Sequence, residues 1–298
     1  MDWRELREKL VKSKYYYFHT DDGVLLCGDC SDVMKEIPDE SIDCVVTSPP
    51  YDDLRYYSAK GKKELENMWN FEKFKRVARE LYRTTKKGGV VVWVVGDATI
   101  NGSETGSSFR QALYFKDDCG FKLHDTMIYL KHNFSNPSSN RYHQVFEYMF
   151  VFVKDKLKTF NPIKDRKNKW AGQTCWGKNT VRTKDGKLKE CKKRVVSTYG
   201  MRFNVWKYII SYGFGQKDKI AYKHPATFPE QLAYDRIFSW SNEHDIVLDP
   251  LCGSGTTLKM AEKLSRKWIG IEINKDYCEI AKKRILKSRS ILKPYVRT

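Results

Sequence analysis

Asp249-Pro250-Leu251-Cys252-Gly253-Ser254-Gly255-Thr256-Thr257 lies between an apolar run, Ile246–Leu248, and a helical stretch that reaches Leu264. Two glycines in such a turn let a ligand come up against the backbone, and an aspartate at a strand end can accept its hydrogen bonds. The next apolar run, Trp268–Ile273, carries Glu272, placed to hold ribose hydroxyls. One short Gly-x-Gly without a third glycine is a poor cradle for a pyrophosphate, so an adenosine ligand without phosphates is favoured over a dinucleotide. Gly-Ser-Gly alone would serve equally as a plain strand-to-helix connection. The acidic residues before and after it are what point to a ligand.

Thr47-Ser48-Pro49-Pro50-Tyr51 closes a second apolar run, Ile42–Thr47. Two successive prolines stiffen the backbone and remove two N–H donors, leaving the local carbonyls as fixed acceptors. Tyr51 adds a flat face for a base. The set suits an exocyclic amino group, whose hydrogens need acceptors. Hydrogen bonds from it to the Ser48 hydroxyl and the Pro49 carbonyl would favour a pyramidal, more nucleophilic nitrogen. A lone Pro-Pro-Tyr is weak evidence, since the same residues end a strand in a turn.

Both motifs need strands and helices to hold them. Val24–Cys27 reads as a strand, followed by a helix capped by Ser31 or Asp32 and ending near Pro38. Ile42–Thr47 is a buried strand. Glu64–Thr85 has helical periodicity stopped by Lys86-Lys87-Gly88-Gly89, and Val90–Val95 suits a strand buried on both faces. Phe109–Cys119 reads as a helix closed by Gly120, and Leu123–Leu130 and Val145–Val153 as strands. Pro229 sits in the first turn of a helix. Ile246–Leu248 and Trp268–Ile273 are strands, and Asn274–Ser288 is a final helix. Tyr15-Tyr16-Tyr17-Phe18 is expected to pack against the sheet edge. Helices between apolar strands imply an α/β fold with a parallel sheet and right-handed crossovers.

The 298 residues, 41% hydrophobic and 14% aromatic, can bury one large α/β domain, or a domain with an insertion, and are not wholesale disordered. The net charge of +18 is unevenly placed. Lys154–Lys223 holds 20 basic and 5 acidic side chains, a net +15 in 70 residues, against +3 for the other 228. That is the electrostatic footprint of a polyanion binder. Trp170, Trp176, Tyr199, Phe203, Trp206, Tyr208, Tyr212 and Phe214 within it argue against a disordered basic loop. No apolar run approaches the roughly 18 residues of a membrane helix, and the first residues lack a signal peptide's apolar stretch. A soluble, cytoplasmic protein is expected. Cys27-Gly28-Asp29-Cys30 matches C-x-x-C, but Cys175 and Cys191 lack nearby histidines at ligand spacing, so no metal is expected.

The order of these features resembles the S-adenosylmethionine-dependent DNA amino-methyltransferases of the β permutation group. There a catalytic [DNS]-P-P-[YFW] half precedes a target-recognition segment, and a cofactor half with a [DFS]-P-x-x-G-x-G-T motif comes last. The resemblance runs from Gly28-Asp29 to the terminal helix. It implies a Rossmann-like, mixed but mostly parallel seven-stranded sheet, circularly permuted. Residues 1–153 would form the catalytic half, 154–223 an inserted basic target-recognition segment, and 224–298 the cofactor half.

Carried over by position, the resemblance places Asp249, Pro250, Cys252, Gly253, Gly255 and Thr256 at the methionine end of S-adenosylmethionine, with Thr47 also on the cofactor side. Glu272 would take the ribose hydroxyls, Ile273 the adenine face, and Asp29 the adenine amino group, which accounts for the Gly-Asp inside C-x-x-C. His224, Pro225, Ala226 and Phe228 fall in a segment that closes over the ligand. Ser48, Pro49, Pro50 and Tyr51 fall on the catalytic motif, and Lys131–Lys154 on a block that shapes the target-base pocket. Leu251 stands where many members carry Phe. Ser-Pro-Pro-Tyr after Thr is more typical of cytosine-N4 enzymes, with adenine N6 the alternative. Methylation of RNA or of a protein amide, and a non-catalytic DNA-binding protein, are more distant readings. The implied partner is double-stranded DNA with the target base flipped out, and Lys192, Lys193 and Arg194 are expected on its phosphates. A cognate restriction endonuclease and a homodimer are left open.

Overall fold

Alternation of apolar strands with amphipathic helices builds a nine-stranded sheet among the described residues. The computed structural model describes residues 2–50, 69–134, 139–174, 180–190, 195–209, 215–216, 218–227 and 229–292. The strands are β1 (Tyr16–His19), β2 (Gly23–Cys27), β3 (Ile42–Thr47), β4 (Thr85–Val95), β5 (Lys122–Lys131), β6 (Phe146–Val153), β7 (Val205–Tyr208), β8 (Ile246–Asp249) and β9 (Lys267–Glu272). The helices are α1 (Trp3–Val11), α2 (Cys30–Val33), α3 (Phe71–Thr84), α4 (Ser107–Leu113), α5 (Glu230–Trp240), α6 (Thr256–Lys263) and α7 (Lys275–Leu292).

The sheet runs β1-β2-β9-β8-β3-β4-β6-β5-β7. β2, β9, β8, β3 and β4 are parallel, β6 is antiparallel to both its neighbours, and β7 is parallel to β5. The seven expected strands are therefore present, with one more at each edge. Tyr15–Phe18 is expected to pack against the edge; instead Tyr16–His19 forms it by pairing antiparallel with β2. At the other edge, Val205–Tyr208 of the basic segment adds β7 alongside Ile128–Lys131.

Local chemistry explains the boundaries. Phe74, Val77, Ala78 and Leu81 of α3 recur at helical spacing and are all buried, while Asn70 caps the helix by accepting the Lys73 N–H at 2.8 Å. That helix ends at Thr84, and Lys86-Lys87-Gly88-Gly89 lies within β4 rather than terminating the helix. Gly88 turns left-handed there (φ +84°), and the pairing of β3 with β4 shifts register between Ile42 and Cys44. Asp29, not Ser31 or Asp32, caps α2, its carboxylate accepting the Ser31 N–H at 2.9 Å. Pro229 is the residue before α5 rather than within its first turn. The helix expected over Phe109–Cys119 starts earlier, at Ser107, and is α-helical only to Leu113, passing into a π-helical turn at Tyr114–Asp118 before Gly120.

The chain divides into two compact units, residues 1–161 with 204–298, and residues 162–203. The separate unit is narrower at both ends than the 154–223 read from charge. Lys154 is buried in the larger unit, where its ammonium donates to the carbonyls of Tyr82 (2.8 Å) and Thr85 (2.9 Å). Trp206 and Tyr208 are likewise buried there as part of β7. Residues 162–203 hold short antiparallel pairings, Arg166–Lys167 with Tyr199–Gly200 and Thr180–Arg182 with Leu188–Glu190. Within them Arg202 pairs with Asp165, the Arg166 guanidinium lies 4.6 Å from the Phe203 ring centre, and Trp170, Tyr199 and Phe203 are exposed.

Candidate active site

The parallel strands end along one edge of the sheet, with Cys27, Glu272, Asp249, Thr47 and Val95 as their last residues. Such an edge is where open α/β sheets bind ligands. From Asp249 the chain turns through Gly253 (φ +49°) and Gly255 (φ +75°) into α6, conformations that other L residues enter only at a cost. The turn is closed by the Gly255 N–H on the Cys252 carbonyl (2.7 Å) and tied to β9 by the Cys252 N–H on the Ile271 carbonyl (3.0 Å). A Cβ on Gly253 would meet His224 Nε2 at 2.7 Å, and one on Gly255 would meet the Ala281 Cβ at 2.7 Å. His224 thus packs on the turn. Its Nδ1 accepts the Ala226 N–H at 3.1 Å, and its ring lies edge-on to Tyr277.

Two carboxylates flank the turn. Asp249, 2% exposed, accepts the Thr47 hydroxyl at 2.7 Å and the Leu251 N–H at 3.1 Å. Burial pushes it up to about 6, against the opposing hydrogen bonds of Thr257 and Thr47. Glu272, 9% exposed, accepts the Gly253 N–H at 2.9 Å and the Asn274 N–H at 2.8 Å, and burial pushes it up to about 7. Neither forms an ion pair among the described residues. A carboxylate can accept about four hydrogen bonds, so each keeps capacity for a ligand's donors. Desolvated anions without a cation suit a ligand that brings both hydroxyl donors and positive charge.

The other expected cofactor residues divide. Gly28 donates to the Glu272 carbonyl at 3.0 Å, which sets Asp29 beside the end of β9. The Asp29 carboxylate is already engaged, capping α2 and pairing with Lys73, whose own pKa burial and then Arg76 hold below the ordinary value. Ile273 is exposed next to Glu272, as is Pro225, while Pro250, Cys252 and Thr256 are buried and Ala226 is half-buried. On the catalytic side, Ser48 is half-buried and Pro49 buried directly after Thr47. Tyr51, Phe228, Lys192, Lys193 and Arg194 lie outside the described residues. At the neighbouring strand ends, Lys131 and Glu147 form an ion pair at 2.6 Å, and Tyr148 stacks on Phe150 and meets Phe109 edge-on. The thiols nearby are poor nucleophiles, since burial pushes Cys30 up to about 12, and burial, followed by Asp249 and Glu272, raises Cys252 well above its ordinary value.

Two features went unread in the sequence. Asp97, just beyond β4, is buried and accepts the Ser108 N–H at 2.8 Å and the Ser107 hydroxyl at 3.2 Å, which anchors α4 to the same edge. Behind the glycine turn, Arg284, Gln216, Asp218, Glu230 and Lys259 form a buried polar network. Its signal was an arginine on the apolar stripe of α7, with Cys278, Ala281 and Ile285.

Residues 42–283 match the profile of a DNA methylase family, N6_N4_Mtase. The orphan methyltransferase M.BamHII of Bacillus amyloliquefaciens is 56% identical over 254 residues, covering 85% of this chain and 92% of that protein. The type II methyltransferase M.SmaI of Serratia marcescens is 27% identical over 89% of this chain and 91% of its own length. Among solved structures, PvuII DNA methyltransferase (cytosine-N4-specific) superposes with a TM-score of 0.67 at 22% identity, over 94% of each chain. M1.HpyAVI in complex with SAM gives 0.55 at 24% identity, over 88% of this chain and 98% of that one. S-adenosylmethionine, with a sulfonium, an ammonium and a ribose diol, is the kind of ligand that the uncompensated Asp249 and Glu272 fit. The chain belongs to this DNA methylase family and is an S-adenosylmethionine-dependent DNA methyltransferase.

Proposed function

We propose that the chain methylates the exocyclic N4 of cytosine in duplex DNA, with the target base flipped out of the stack. The observation that supports amino-group methylation at this site is the Thr47–Asp249 hydrogen bond, which ties the residue before Ser48-Pro49 to the strand end that opens the glycine turn. When bound, S-adenosylmethionine supplies an electrophilic methyl group on sulfur. In this reading Asp249 and Glu272 hold the ligand's cationic and hydroxyl groups, and Ile273 covers the adenine. Ser48 Oγ and the Pro49 carbonyl accept the amino hydrogens and orient the nitrogen lone pair, and Tyr51 stacks on the base. The nitrogen–carbon bond forms as the sulfur–carbon bond breaks, and the excess proton on nitrogen passes through these acceptors to water. No covalent enzyme intermediate is required, consistent with buried, protonated thiols. Positioning and acceptors aimed at developing positive charge would supply much of the rate.

Serine at the first position of the catalytic motif is what favours cytosine over adenine. Mass spectrometry of nucleosides from DNA of cells expressing the chain tests it: N4-methylcytosine is expected, and N6-methyladenine as the sole product overturns it. Ser48→Ala and Tyr51→Ala should lower methylation while S-adenosylmethionine affinity stays within about threefold, a change below about 0.7 kcal/mol.

A further inference from the structure

We infer that Arg284, on the terminal helix α7, is a positioning residue for the cofactor turn. Its guanidinium is fully buried. One terminal nitrogen donates to the Ser254 carbonyl (2.7 Å), the Ser254 hydroxyl (3.0 Å) and Thr256 Oγ1 (3.0 Å). The other donates to Gln216 Oε1 (2.5 Å) and Glu230 Oε1 (3.1 Å), and Nε lies 3.5 Å from Asp218. Gln216 also donates to Thr256 Oγ1 at 3.3 Å. Lys259 of α6 joins the same two carboxylates, Asp218 (2.5 Å) and Glu230 (2.7 Å), so two buried cations face two buried anions.

The geometry says what this network holds. The Ser254 carbonyl belongs to the same peptide plane as the Gly255 N–H, which closes the turn on Cys252. With glycines on both sides of Ser254 this plane has little intrinsic preference, so a partner must fix it. Arg284 is that partner, and its planar fork spans the distance from the turn to Gln216 and Glu230 where a lysine ammonium could reach only one side. Fixing the plane also fixes Gly253, whose N–H meets Glu272. Arg284 therefore acts on the ligand through the turn, touching no reacting atom.

The inference rests on the placement of S-adenosylmethionine at this turn. Its test is isothermal titration of S-adenosylmethionine into the full chain carrying Arg284→Met or Arg284→Lys, beside thermal melting, steady-state kinetics and anisotropy with duplex DNA. Arg284→Met should weaken ligand affinity about tenfold or more, the scale of losing charge-assisted hydrogen bonds. Arg284→Lys, which keeps the buried charge balance, should raise KM for S-adenosylmethionine several-fold while kcat at saturation and duplex affinity stay within about twofold. If Arg284→Met does not fold, the Arg284→Lys split between KM and kcat decides. Ligand affinity within twofold of the parent in a folded Arg284→Lys, or equal losses in kcat and duplex binding, overturns the inference. Asp249→Ala serves as control: lost binding there with no loss at Arg284 fails the inference alone, whereas no loss in either variant fails the cofactor placement.

Discussion

The Thr47 hydroxyl donates to the Asp249 carboxylate across 2.7 Å, although 202 residues separate them in the chain. Both are the last residues of adjacent parallel strands, β3 and β8. The bond therefore couples the start of the Ser-Pro-Pro motif to the start of the glycine turn. A second tie lies one turn behind it, where Thr257 donates to the Val46 carbonyl at 3.2 Å. In-line methyl transfer needs donor and acceptor held in register, and under the proposed reading these two hydroxyls would supply that register from the protein side.

Thr47→Val removes a hydroxyl at almost constant volume and leaves a buried Asp249 oxygen with one donor fewer. Affinity for S-adenosylmethionine should fall about three- to tenfold, the scale of one ordinary hydrogen bond, because Asp249 itself and its Leu251 N–H partner remain. Titration calorimetry measures it, and an unchanged isotherm would detach Thr47 from the cofactor side.

Asp249→Ala and Glu272→Ala should each weaken S-adenosylmethionine binding about ten- to a hundredfold, since each deletes a charged acceptor worth roughly 1.5–3 kcal/mol. Gly253→Ala should match them without changing charge. It forces a side chain into a left-handed conformation and toward His224 Nε2, 2.7 Å away. Two unaffected acidic variants would remove the assignment of this turn.

The seven inner strands and the turn were legible because each strand is a short apolar run and the glycine turn has acidic residues at fixed offsets; the order of the strands in the sheet was not. Nor were the edges. Tyr16–His19 and Val205–Tyr208 are strands only because a neighbour's free edge accepts them, a tertiary effect that short polar-aromatic sequences do not display. Charge counting also overran the inserted unit, since Lys154 looks like any other lysine until its buried partners are seen. The Arg284 network was hidden for the same reason: its members come from four separate stretches of chain.

The raised carboxylates set a pH dependence. Burial lifts Glu272 from 4.5 to about 7 and Asp249 from 3.8 to about 6. Both folded values exceed the unfolded ones, so the ligand-free protein gains stability from these groups below about pH 4 and loses it as pH rises through 6 and 7. A ligand that brings an ammonium to Asp249 and ribose hydroxyl donors to Glu272 is favoured by the ionised, acceptor-only carboxylates, so its affinity should rise over the same window. The S-adenosylmethionine-induced increase in Tm should thus be larger at pH 8 than at pH 6, and Glu272→Gln should flatten the upper part of that curve. A ligand-induced shift independent of pH between 6 and 8 would contradict the assignment.

The basic segment should govern the salt dependence of DNA binding. Its net +15 over Lys154–Lys223 is concentrated well beyond what solubility needs. If it tracks the phosphate backbone, the log–log dependence of duplex affinity on salt should have a slope near −0.9 per phosphate neutralised. With about six to ten contacts, affinity falls roughly a thousandfold or more between about 50 and 200 mM salt. Neutralising Lys192, Lys193 and Arg194 together should flatten the slope by about two to three units and weaken all sequences alike. Lys154→Met should leave the slope alone, because that ammonium is spent on the Tyr82 and Thr85 carbonyls, and should instead lower Tm. Fluorescence anisotropy of specific and scrambled duplexes across a salt series separates these cases. A slope that Lys154→Met flattens as much as the triple substitution does would place the DNA on the wrong part of the segment, and an overall slope near zero would remove the basic cradle altogether.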